Sequence, residues 1–192
     1  MTRTPVRVAL AATAAAAALL LSACSASSTT ASSPAPAGTS APAGAEVVPV
    51  KSNPISNTAT VPSLAIGKIQ VENNTDAGGK AVSDHLQLDL RNTGTTVLGG
   101  FEVFYTFADP AAGKKESYYL KLPASFTIPA GATKPVNFDN AGGPGHFPVN
   151  KFSLFNTSKA ALDVTVEVSA AGAAPVTATA KKGPGGSENI GG

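Results

Sequence analysis

Phe101-Glu102-Val103-Phe104-Tyr105-Thr106-Phe107-Ala108-Asp109 sets Phe101, Val103, Tyr105 and Phe107 against Glu102, Phe104 and Thr106. Successive side chains of an extended chain point to opposite faces, so a period of two buries one face of a strand and leaves the other in water. The same alternation holds upstream, where Leu86, Leu88 and Leu90 interleave with Gln87, Asp89 and Arg91. From Leu64 onward this pattern is broken by Gly, Pro, Asn and Asp about every ten residues, and no segment reads convincingly as a helix. Further strands are predicted over Ala65–Glu72, Ser117–Leu122, Ser125–Ile128, Pro135–Asp139, Val149–Asn156, Leu162–Ser169 and Val176–Ala180. The expected fold is all-β, an antiparallel sandwich of about 7–9 strands.

The turns agree with that division. Asn92-Thr93-Gly94 ends one strand where positive φ costs little, Asp109-Pro110 opens a loop, and Pro129-Ala130-Gly131 supplies proline then glycine. A strand ending Leu90-Arg91-Asn92-Thr93-Gly94, the aromatic strand ending at Asp109, and Ile128-Pro129-Ala130-Gly131-Ala132-Thr133 before the next strand together resemble the small immunoglobulin-like domains of bacterial surface lipoproteins. The resemblance covers about Val82 to Asp139 and implies a fold; no ligand site travels with it. The disulfide and the buried tryptophan of immunoglobulin domains are missing, because the chain has no Trp and a single Cys.

That cysteine stands at the end of an export signal. Arg3 and Arg7 precede an apolar run from Val8 to Leu21, and no acidic residue occurs before Glu46. The run is shorter than the roughly 20 residues a spanning helix needs, so cleavage is expected rather than a transmembrane anchor. Leu21-Ser22-Ala23-Cys24 resembles the bacterial lipobox at all four positions. The resemblance implies recognition of Leu21, Ser22 and Ala23 by the signal peptidase, diacylglycerol on the Cys24 thiol, and a cut between Ala23 and Cys24. The expected location is the outer face of the cell membrane. Each buried methylene contributes about 0.8 kcal/mol and one acyl chain binds only marginally, so a lasting anchor needs at least a pair.

The expected organisation is a signal peptide over 1–23, forming a signal helix, a disordered tether over 24–61, the sandwich over 62–180, and a disordered tail over 181–192. The tether is mostly Ser, Thr, Ala, Pro and Gly, with Glu46 and Lys51 its only charges, and such composition cannot bury a core. A flexible coil of that length spans roughly 35 Å. With Arg3 and Arg7 removed, basic and acidic side chains balance at 12 each. No basic field remains to attract nucleic acid.

Chemistry-bearing residues are sparse. Thiol catalysis is excluded if Cys24 carries lipid. The chain has two histidines, His85 and His146, no Gly-x-Ser-x-Gly elbow, and Met1 as its only methionine. No catalytic residue, metal site or cofactor is expected; paired tyrosines four apart, as in haem-capturing surface domains, are absent. Tyr118 should fill the core with Leu120 and Leu122, which leaves Tyr119 on the other face with Phe104 as a candidate aromatic patch. The loop from Asn140 to Pro148 is the other candidate, because Gly143, Gly145, His146 and Phe147 sit in a glycine-rich stretch between strands, where function concentrates. Its bland alternative is a crossover plugged by Phe147. The leading expectation is a lipid-anchored binding module for an envelope or extracellular protein, with a structural envelope lipoprotein and a hydrolase as rivals; oligomeric state is not legible.

Overall fold

The computed structural model describes residues 47–72 and 85–184. All belong to one compact unit, Gly38–Gly192. The expected signal peptide, Cys24, the first part of the tether and the end of the tail lie outside the described residues. So does the stretch 73–84.

Among the described residues, eight strands and one short helix follow in the order β1 (Leu64–Glu72), β2 (His85–Asn92), β3 (Glu102–Asp109), β4 (Lys114–Lys121), β5 (Thr133–Phe138), β6 (His146–Phe147), α1 (Leu154–Thr157), β7 (Leu162–Ala170) and β8 (Ala173–Lys182). They form two four-stranded sheets, β1-β2-β5-β6 and β4-β3-β7-β8. The crossing from β2 to β3 and back from β4 to β5 gives the immunoglobulin-like connectivity of an all-β sandwich. Every strand pair is antiparallel except β5–β6, where Asn137 faces His146 and Phe138 faces Phe147 in parallel register.

The period-two positions make the core. Leu86, Leu88 and Leu90 of β2 are buried against Phe101, Val103, Tyr105 and Phe107, and β4 adds Tyr118 and Leu120. Tyr105 stacks on Tyr118 at 5.4 Å and meets Phe138 of the first sheet at 5.0 Å. These rings fill the space between the two sheets. The Tyr105 hydroxyl has no hydrogen-bond partner among the described residues. Tyr118, one strand over, donates to Glu116 at 2.8 Å, and the same carboxylate oxygen accepts from the Leu154 amide.

Asn92 is fully buried and its side chain ties the β2–β3 connection to the β4–β5 connection. It donates to Thr96 O (2.7 Å) and Ile128 O (2.8 Å) and accepts from Gly94 N (2.9 Å). Gly94 is required for a different reason than turn conformation, because its φ is not positive. A Cβ there would sit 2.8 Å from the Ser63 side chain, so the constraint is close packing.

Several boundaries depart from expectation. Ser125–Ile128 contributes a single bridge between Ile128 and Leu98 instead of a strand. Val149–Asn156 is no strand: Asn150 Oδ1 accepts from the Phe152 amide and the Asn156 side chain donates to Asn150 O, which turns the chain into α1 and puts Phe155 onto Phe107 at 5.4 Å. The last strand runs to Lys182, past the expected start of the tail at 181, and Lys182 is buried with its ammonium 5.9 Å from the Phe155 ring.

The largest departure concerns the expected tether over 24–61, whose last part, residues 47–61, lies on the β4-β3-β7-β8 sheet. Val47 is buried, and Val50 N donates to Ser117 O of β4 at 2.8 Å. Asn53 donates to Glu167 of β7 at 2.8 Å. Asn57 donates to Ser169 Oγ, Ala170 O and Ala173 O, each at 2.9 Å. Each asparagine also accepts from the amide two residues on, and these Asx turns hold the strap's bends.

Candidate functional site

A sandwich has open sides wherever its sheets end. Here β4 is the edge of one sheet and β6, a two-residue strand, is the edge of the other. Between them, and under the loop from Asn140 to Pro148, lies a groove of about 930 Å³. Its walls come from the end of β4, the turn through Phe126, the start of β5 and the loop itself.

The loop is a fixed wall. Asn140, Gly143 and Gly145 have φ values of 59°, 106° and 82°, a conformation that L side chains rarely adopt. Gly145 is doubly constrained, because a Cβ would come 3.2 Å from Pro135 O. Its carbonyl accepts from Asn137 N at 2.8 Å. Asn140 Oδ1 accepts from Val149 N at 2.9 Å, and Asp139 Oδ1 from Ala141 N at 2.9 Å. The second Asp139 oxygen meets His146 Nδ1 at 2.7 Å.

Phe147 is the plug of this crossover. It is buried and meets Phe126 edge-on at 5.7 Å and Phe138 at 6.1 Å. Gly143, Gly145 and His146 line the groove. Phe104 and Tyr119 do not join them. They face each other across β3–β4 on the outer face of the second sheet, which the strap crosses, and both are half-buried. Tyr119 donates to Glu102. Burial, and then the Glu102 carboxylate, push its hydroxyl above the usual tyrosine range. The expected exposed aromatic patch is therefore a partly covered pair, removed from the loop. His85 begins β2, on the edge of the described residues.

Residues missed in the sequence complete the groove. Lys134 shares the inward phase of β5 with Val136 and Phe138, but at the strand's open end, and its ammonium lies 5.8 Å over the Phe126 ring. Lys121 closes β4 opposite Glu102, and Lys151 and Phe152 stand beyond the loop. Phe152 is 75% exposed, the most exposed large apolar side chain among the described residues. Ser125 also lines the groove, without a hydrogen bond to His146. Among the described residues no three His, Cys, Asp or Glu side chains converge as a metal site.

No family model matches the chain, and no curated protein matches it. Among solved structures it is similar to part of a Pseudomonas fluorescens alkylpurine DNA glycosylase bound to DNA containing an abasic site analog, at 15% identity over 64% of this chain and 31% of that one, TM-score 0.33. A Listeria innocua beta-glucosidase in complex with gluconolactone aligns at 14% identity over 64% and 16%, TM-score 0.30. A Bacillus subtilis sporulation control protein, Spo0M, aligns at 9% identity over 73% and 49%, TM-score 0.30. The chain spans less than half the length of each, and likenesses this weak carry no argument about its chemistry.

Proposed function

We propose that this chain is an exported surface lipoprotein, held at the outer face of the membrane by acyl chains on Cys24, whose sandwich domain binds a component of the envelope or its surroundings and performs no catalysis. Two independent features support the reading. Leu21-Ser22-Ala23-Cys24 closes a short apolar export signal, and the chain's only cysteine is the one the lipobox needs. The domain in turn encloses a groove of about 930 Å³ under a loop pinned by Asn140, Asp139 and Gly145. The pinned groove carries the reading, since concavities of roughly 300–1,000 Å³ with preset walls are the usual form of ligand sites.

The anchor is tested by metabolic labelling with an alkyne fatty acid: wild type takes the label and Cys24→Ala does not. Equal labelling of both refutes the anchor. The binding role is tested by capture from envelope extracts with wild type and with Gly142→Trp. Gly142 lines the groove and nothing lies within 4 Å of a Cβ there, so a bulky side chain at this position is tolerated and is expected to obstruct the groove. A component retained by wild type and lost with Gly142→Trp supports the reading; no difference favours a purely structural envelope role.

One observation favours a hydrolase as second reading: the Asp139–His146 pair at 2.7 Å has the orientation of a carboxylate positioning a general base, in a groove that Ser125 also lines. It lacks the serine–histidine bond. Turnover of nitrophenyl esters abolished by both Ser125→Ala and His146→Ala would establish it.

A further inference from the structure

We infer that the groove takes a small amphiphilic anion, an acidic head joined to an apolar or aromatic body; this rests on the groove being the binding site proposed above. The charge of the lining is one-sided. Lys121, Lys134 and Lys151 line it and no Asp or Glu does. Lys121 has Glu102 across the strand pair, where Tyr119 donates to that carboxylate. Lys134 and Lys151 form no ion pair among the described residues. The nearby acid, Asp139, is turned to His146 Nδ1 and the Ala141 amide, and so does not neutralise them.

The remaining wall is apolar. Phe126 is braced edge-on by Phe101 at 5.4 Å and by Phe147 at 5.7 Å, which leaves a fixed ring beneath the Lys134 ammonium. Phe152 projects at the mouth. Each half of the lining rejects one alternative. A neutral apolar guest would strip water from two ammonium groups without replacing it, and a bare inorganic anion would leave the rings uncovered. Size and charge reject two more. A folded protein contacts a surface of about 800 Å² per partner rather than filling a concavity, and a nucleic acid would need a basic field that a chain of net charge +2 does not have.

The test is calorimetric titration of the full chain carrying Cys24→Ser, so that no lipid of its own competes. Three probes are used: oleate below its micelle threshold, methyl oleate with the same body and no charge, and acetate with the head alone. Saturable one-site binding of oleate is expected, at least tenfold weaker for methyl oleate and undetectable for acetate. Lys134→Gln and Lys151→Gln should each weaken oleate by about three- to tenfold while leaving the melting temperature in place. Gly142→Trp should abolish binding. Oleate and methyl oleate bound equally, both lost with Gly142→Trp, would overturn the anionic head and keep the groove. Oleate binding indifferent to Gly142→Trp would overturn the groove itself. Phosphatidylglycerol vesicles replace oleate in a last arm: extraction of lipid supports the proposal with a bilayer source, and surface adhesion that survives Gly142→Trp counts against it.

Discussion

Replacing Asn57 by alanine removes the best-tied point of the strap. Its amide donates to Ser169 Oγ, Ala170 O and Ala173 O, and its oxygen accepts from Ala59 N. Typical net contributions are about 0.5–1.5 kcal/mol per bond. The three acceptors share the two amide hydrogens, however, and at a part-buried site the freed carbonyls regain water. The expected loss is therefore about 1.5–3 kcal/mol, below the simple sum. For a domain of this size that lowers the melting temperature by roughly 5–12 °C. Asn57→Asp separates the two halves of the effect. It keeps the Asx turn to Ala59 but aims a carboxylate at two carbonyls, so it should cost at least as much as alanine. Differential scanning calorimetry gives the stability, and hydrogen exchange at Val50, Ala59 and Ala174 reports the strap. Both variants within about 0.5 kcal/mol of wild type, with those amides exchanging freely in all three, would refute the packed strap and restore a tether reaching to residue 61.

Tyr105→Phe removes a buried hydroxyl without a described partner and should leave stability unchanged or raise it by up to about 1 kcal/mol, whereas Tyr118→Phe breaks the bond to Glu116 and should cost about 1 kcal/mol in urea unfolding. Gly145→Ala meets both positive φ and the Pro135 carbonyl and should cost about 1–2 kcal/mol, while Gly142→Ala stays near neutral in the same assay. Tyr105, Tyr118 and Tyr119 are all pushed above the usual value of 10.0, burial being the largest cause in each. The unfolded chain therefore loses these protons first, so stability holds below pH 10 and falls as pH rises through and beyond it. Phenolate absorbance should appear together with loss of near-ultraviolet dichroism; ionisation near pH 10 with the dichroism intact would contradict the burial.

The sandwich was legible because its core positions repeat locally: Leu86 to Leu90 and Phe101 to Phe107 each declare a face within a few residues. The strap was hidden because Asn57 finds its partners 112 to 116 residues downstream, and a composition of Ser, Pro and Thr says nothing of such pairing. Val149–Asn156 misled for a related reason. Its apolar residues suit a strand, but the Asn150 and Asn156 side chains take over the backbone bonds. The loop from Asn140 to Pro148 was visible as a candidate, though its walls were not. Lys134 carries a sequence signal of its own, a lysine in the inward phase of Val136 and Phe138, which belongs either in an ion pair or at an opening. The parallel β5–β6 pairing that brings His146 to Asp139 depends on left-handed turns at Asn140 and Gly143 that no periodicity encodes.

The proposed binding site is the groove between the open sheet edges and not the strapped outer face. Amide chemical-shift mapping during oleate titration addresses it directly. Changes confined to Ser125–Phe126, Lys134 and Asn140–Phe152 are the result expected; changes centred on Phe104, Tyr119 and the strap, with the loop silent, would contradict it.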